Sequence, residues 1–196
     1  MSITRTANQR GLSLIELIVA IVVIGTAVVG VLGAISLSAR SSADPMIQKQ
    51  ALAIAEALLE EVQLQPFTYC DPDDTAAATA LSSADCTGGA GGANDESRTP
   101  LTHEGESRTA IPIFDNVSDY NGLVINPVTD INGAALGFDG YSATITVATQ
   151  GIGAIGPIPA ISVDEALLIT VTVTGPGNTT VVLHGYRVRY APNALP

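Results

Sequence analysis

The chain has no tryptophan, three phenylalanines, two histidines, two cysteines and only eight lysines and arginines among 196 residues. Each shortage excludes something. Nineteen acidic residues set the formal charge at −11, and with no basic cluster to neutralise phosphates, nucleic acid is excluded as a partner. Two cysteines without further ligands do not make a zinc quartet. His103 falls in a turn-rich stretch and His184 in an alternating one, where a surface or satisfied histidine is the usual case. No nucleophile–base pair or phosphate loop can be assembled from the spacing, so the chain does not read as an enzyme.

What the chain does have is one uninterrupted apolar run. From Leu17 to Ala39 there are 23 residues without a charge, about 35 Å of helix, enough to cross a hydrocarbon core of about 30 Å. The apolar part of a cleaved secretory signal is shorter, about 7–15 residues. Arg5 and Arg10 precede the run with no acid among them, which places the amino terminus in the cytoplasm and everything after Ala39 outside. One carboxylate, Glu16, stands at the start of the run. An ionised side chain in a span costs about 2.5–3.5 kcal/mol when central and less near an end, so Glu16 either snorkels to the interface or has a partner.

About 157 residues follow Ala39, enough for one domain with its own core. Asp44 reads as an N-cap with Pro45 at the first helical position. Ile47, Ala51, Ile54, Ala55, Leu58 and Val62 then recur at helical spacing, with Gln48, Lys49, Glu56, Glu60 and Glu61 opposite. The spacing predicts an amphipathic helix over 44–65 whose apolar stripe faces a sheet. The segment Ser41-Ser42-Ala43-Asp44-Pro45 predicts a kink or break ahead of it. Residues 66–138 are rich in Gly, Ala, Ser, Asp and Asn, include AAATALSSADCTGGAGGANDES, and are expected to form a long exposed loop region that buries little area. Cys70 and Cys86, outside the membrane, read as a disulfide; closing about 17 residues contributes roughly 3 kcal/mol in the chain-entropy model. In 139–196, Tyr141–Thr149 and Ala166–Thr174 alternate with period two, and Thr180–Tyr190 follows a Gly-Pro-Gly-Asn turn. These predict an antiparallel sheet whose last two strands form a hairpin, hence an α+β domain over 44–196.

Gly11-Leu12-Ser13-Leu14-Ile15-Glu16, behind a short basic leader and ahead of the apolar run, closely resembles the processing signal of type IV pilins and of type II secretion pseudopilins. The resemblance implies that a prepilin peptidase removes leader 1–11 by cutting between Gly11 and Leu12, that the Leu12 amine is methylated, and that 12–39 is the transmembrane and filament-core helix. It makes Glu16 the fifth residue of the mature chain and supplies its partner, the Leu12 amine of a neighbouring subunit. A buried charge with a counter-charge is far less costly than one without. Leu12 stands where Phe is usual, and Gly33 where a proline is common. Gly25, Gly30 and Gly33 either loosen the helix or let another helix pack closely.

Helix, loop and sheet follow in the order of the type IV pilin-like fold, in which a long amino-terminal helix packs on a carboxy-terminal antiparallel sheet. QALAIAEALLEEV, followed by Pro-Phe and Cys-Asp-Pro-Asp, most resembles minor pilins of the MSHA pilus system. The implied function is that of a structural subunit in filament assembly or initiation, with surface adhesion as a further role. The implied partners are other pilins, the assembly machinery and the inner membrane. The domain would lie in the periplasm before joining a surface filament. A type II secretion pseudopilin is one competing reading. A membrane-anchored ligand-binding module, whose helix is only a tether, is another. No cofactor is expected other than calcium, which some pseudopilins hold. Asp71, Asp73 and Asp74 beside Cys70 offer part of the six to eight oxygens calcium takes, but the EF-hand spacing is missing and a solvated acidic turn is the simpler reading. Asp115-Asn116-Val117-Ser118-Asp119-Tyr120-Asn121-Gly122 is a second acidic turn of the same ambiguity.

Overall fold

The structure, a computed structural model, describes residues 13–97, 105–137, 139–154, 156, 157 and 159–193, with the backbone alone for 37–44. Its first element is a helix, α1, Leu14–Leu64. Of the expected kink or break at Asp44-Pro45, a break does not occur: helical backbone continues on both sides, with Pro45 inside the helix. Asp44 therefore caps no new helix. A proline there forgoes one backbone hydrogen bond and crowds the carbonyl four residues back. The chain also divides at that point into two compact units, Met1–Pro45 and Met46–Pro196.

In the second unit, α1 buries Ala51, Ile54, Ala55, Leu58 and Val62, the stripe that the helical spacing marked out, with Ile47 and Leu59 at its margin. Burial of Ile54, Leu58 and Val62 stabilises by about 1.5–3 kcal/mol each. Their counterpart is a four-stranded antiparallel sheet in the order β1 (Val124–Ile125), β2 (Ser142–Thr149), β3 (Ala166–Gly175), β4 (Thr179–Val188). Pairing of Ala143 with Val173, Ile145 with Val171 and Val147 with Ile169 puts all six on the buried face. Thr144, Thr146, Thr170 and Thr172 alternate with them on the other face, as a one-sided sheet requires.

Two local features let the helix and the hairpin fit. Between β3 and β4, Gly177 and Asn178 both take left-handed backbone (φ 67° and 61°), a conformation open to glycine and tolerated by asparagine. On β4, a Cβ at Gly185 would meet the ends of the Leu59 and Gln63 side chains of α1, which would have to move aside.

The region after the helix departs from the expected exposed loop. Cys70 and Cys86 form a disulfide, and around it Ala77 and Ala80 are fully buried in a small second core. Aspartates organise this segment in place of strands. Asp74 accepts hydrogen bonds from the Ala76 amide (2.9 Å), the Thr87 amide (2.7 Å) and the Thr87 hydroxyl (2.7 Å). Asp95 accepts from the amides of Gly91 (2.7 Å) and Ser97 (2.9 Å). Small apolar side chains packed on a disulfide need no continuous hydrophobic face, which is why composition alone misjudged them. Two charged residues tie the layers together. Arg108 on the loop side pairs in bidentate fashion with Glu61 of α1, both bonds at 2.7 Å. Arg189, just past β4, lies between the rings of Phe67 and Tyr69, 3.9 and 4.3 Å from their centroids.

Candidate functional site

The amino-terminal helix carries the first candidate site. Gly11 and Leu12, the expected cleavage pair, lie outside the described residues. The first turn begins at Ser13, whose carbonyl accepts the amides of Glu16 (3.0 Å) and Leu17 (3.2 Å). Glu16 thus sits in the opening turn of the helix, where the positive end of the helix dipole favours a carboxylate. From Leu14 to Ser36 the helix has a mean hydropathy of 2.8, and none of it is buried within the chain. Leu14, Ile15 and Val29 are each more than half exposed. An apolar surface this long on one chain marks a membrane or a packing partner. Within it the Thr26 hydroxyl donates back to the carbonyls of Val22 (3.1 Å) and Val23 (3.0 Å), so that this hydroxyl needs no water. The backbone stays helical through Gly25, Gly30 and Gly33, and a Cβ at any of them would touch nothing within 4 Å. Any close-packing role for these glycines therefore needs a second helix.

The second candidate is acidic. Asp71 and Asp73 are brought together with Glu106 and Asp115, one carboxylate oxygen from each lying within 4.8 Å of the others. Three separate segments meet here. Asp71 follows the disulfide-fixed Cys70, and its Oδ1 accepts the Asp73 amide at 2.7 Å. Asp119 braces the Asp115 segment, its Oδ2 accepting the amides of Asp115 (3.0 Å) and Asn116 (2.6 Å). Glu106 comes from a third stretch and shares a hydrogen bond with Asp119, while its Oε2 is buried with no hydrogen-bond partner among the described residues. Asp74, which the sequence grouped with Asp71 and Asp73, is turned away and occupied by Ala76 and Thr87. Those hydrogen bonds, the Ala76 amide first, hold its carboxyl down at about 2. Glu106 had no local signal in the sequence; its membership is purely tertiary.

Burial is the main cause of the cluster's electrostatics, and like charge adds to it. Glu106 is pushed up to about 8 by desolvation and then by Asp119 and Asp115. Asp115 is raised to about 7 by desolvation and then by Asp71 and Asp119. Asp71 and Asp119 are also raised, desolvation again first. Such a group has two ways to remain compact at neutral pH: hold protons or hold a cation. Oxygens about 4.8 Å apart on opposite sides of an ion suit metal–oxygen distances of about 2.4 Å, those of calcium. Four carboxylates are the hard oxygen donors that this ion takes, and the unpartnered Glu106 Oε2 is a free ligand atom.

Comparison with known families bears on the first site. Residues 6–32 match the prokaryotic N-terminal methylation motif, a stretch that includes Gly11, Leu12, Glu16 and most of the apolar run. No curated protein and no solved structure matches the chain. The motif supports a type IV pilin- or pseudopilin-like subunit with a prepilin-type signal, which implies processing by a prepilin peptidase and assembly with other pilins. Together with the apolar helix it points to a membrane-anchored protein whose role is structural. The α+β layout of long helix and antiparallel sheet is pilin-like as well.

The raised carboxyls fix the sign of a pH dependence. In the absence of divalent cations the folded cluster binds protons more tightly than the unfolded chain, so its contribution to stability is complete below about pH 4 and is lost as pH rises through 7 to 8. Thermal unfolding of the full chain with chelator present is expected to occur about 4 °C lower at pH 8 than at pH 5, equivalent to roughly 1–2 kcal/mol for half-exposed groups. Glu106→Gln should flatten that slope. A melting temperature independent of pH over this range, or a slope unchanged in the variant, contradicts the assignment.

Proposed function

We propose that the chain is a minor pilin, a structural subunit of a type IV pilus, nearest to the MSHA system and its MshD kind. In this reading the leader ends at Gly11, the apolar helix holds the subunit in the inner membrane with 46–196 in the periplasm, and assembly machinery draws it into a surface filament. The observation that carries the proposal is the coincidence of two facts. Glu16 stands in the first turn of a helix whose Leu14–Ser36 stretch is apolar and unburied, and the methylation motif covers Glu16 and most of that stretch. A carboxylate there neutralises the Leu12 amine of a neighbour as the helices bundle, so its charge becomes an assembly signal.

Glu16→Leu separates this from a simple anchor. Removing the charge should leave membrane insertion and leader cleavage intact, while recovery of the subunit in sheared filaments drops roughly tenfold or more, the loss expected for an ion pair contributing about 1.4 kcal/mol. Equal filament recovery at equal membrane level and equal processing would show that Glu16 merely snorkels.

The acidic cluster supports a second, compatible proposal: Asp71, Asp73, Glu106 and Asp115 hold calcium. Four carboxylates from three segments at calcium-like spacing support it. Extracellular calcium sites commonly have affinities of about 0.1–1 mM. At pH 7.5, millimolar calcium should therefore raise the unfolding temperature of the full chain, and Asp115→Asn with Glu106→Gln should abolish the rise. An unchanged melting temperature across the calcium titration rules the site out.

A further inference from the structure

The 46–196 unit contains a cleft of about 500 Å³ between the flank of α1 and the 128–136 segment. Its floor is Ile54 and Leu58, buried residues of the core stripe. On the helix side the wall is Ala53 and Ala57, one turn apart and both exposed. Facing them are Ile131 and Leu136, aliphatic side chains that are 54% and 38% exposed. The wall that carries them is fixed. Asp130 Oδ1 accepts the amides of Asn132 (2.9 Å) and Ala134 (2.8 Å), and the Asp130 amide donates to the Ala134 carbonyl at 2.9 Å. The chain thus holds two aliphatics on a rigid turn opposite two alanines and leaves the space between them open. Helix propensity does not demand alanine here, because leucine is nearly as good a helix former.

The polar groups around the cleft define what it accepts. Glu61 and Arg108 close one end, but they neutralise each other, and the guanidinium also donates to the Asp130 carbonyl at 2.8 Å. Among the described residues that line the cleft no positive charge is left over for an anion, and the Asp130 carboxylate repels one. What remains is donor capacity. The Gln50 side chain accepts from the Tyr141 hydroxyl through Oε1 (2.8 Å), which, among the described residues, leaves its NH₂ group to donate. Thr129 Oγ1 accepts weakly from Arg108 (3.4 Å), which leaves its hydroxyl proton. Apolar walls with a few convergent donors are the usual composition of a small-molecule site, and the volume falls in the range of about 300–1,000 Å³ typical of one.

We propose that this cleft binds a small, neutral, mainly aliphatic molecule with an acceptor oxygen, an alcohol or ester of on the order of ten to twenty non-hydrogen atoms. Its chain lies between the Ala53–Ala57 flank and the Ile131–Leu136 wall, and its oxygen accepts from Gln50 or Thr129. Free fatty acids are excluded by their charge.

The probe is a diazirine-bearing octanol, used with the full chain in lipid nanodiscs and read by peptide mass spectrometry. Photolabel should appear on peptides containing Ala53–Leu58 and Val128–Leu136, and excess unlabelled octanol should suppress it. Ala57→Leu and, independently, Ala53→Leu fill the cleft and should cut that labelling by roughly fivefold or more. Labelling of Leu14–Ser36, which faces the lipid, serves as the internal control and should be the same in all three proteins. The proposal is overturned if the span is labelled while the cleft peptides are not, if octanol fails to compete, or if both cleft-filling variants are labelled as strongly as the parent.

Discussion

The structure depends on one constraint: a single helix has to meet two solvents. Its first part, Leu14–Ser36, is apolar all round and buries nothing within the chain. Its last part is apolar on one stripe and buries Ala51, Ile54, Ala55, Leu58 and Val62 against the sheet. A helix that is hydrophobic on every side belongs in lipid or among other helices, and an amphipathic one belongs on the surface of a water-soluble core. The change between these patterns falls where the chain divides into its two units. Everything in the second unit is built on the stripe: the sheet presents its inner face to it, Gly185 makes room for it, and Glu61 takes hold of the loop through Arg108.

A second theme is how an acidic, aromatic-poor chain organises a long region without strands. Its carboxylates play two opposite parts. Asp74 and Asp95 are buried and richly hydrogen-bonded, so they order turns around the disulfide. Asp71, Asp73, Glu106 and Asp115 are instead set against one another, at an electrostatic cost that hydrogen bonds do not remove. The first arrangement is structural glue. The second leaves like charges close together.

How much was legible in the sequence follows from how local each signal is. The three long strands and the helix stripe were readable because period two and period 3.6 are written into consecutive residues, and they appear within a residue or two of their expected limits. Strand β1 was not, since the two residues Val124 and Ile125 show no alternation. Of the kink or break predicted at Pro45, the break rested on a local preference that helical context on both sides overrode. Composition misjudged 66–97, where alanines pack on a disulfide rather than on a hydrophobic face. Of the aspartates that the sequence offered for calcium, Asp71 and Asp73 lie together in the fold with Glu106 and Asp115, Asp74 is hydrogen-bonded to Thr87 instead, and Glu106 carried no local signal.

The central claim is that the amino terminus is a processed assembly device and not a permanent tether. The most direct measurement is amino-terminal peptide mass spectrometry on the protein recovered from the membranes of a bacterium that produces it together with its own prepilin peptidase. The account predicts a chain that begins at Leu12 and carries one methyl group on its amine. A chain that begins at Met1 or Ser2, with the leader intact, would contradict it.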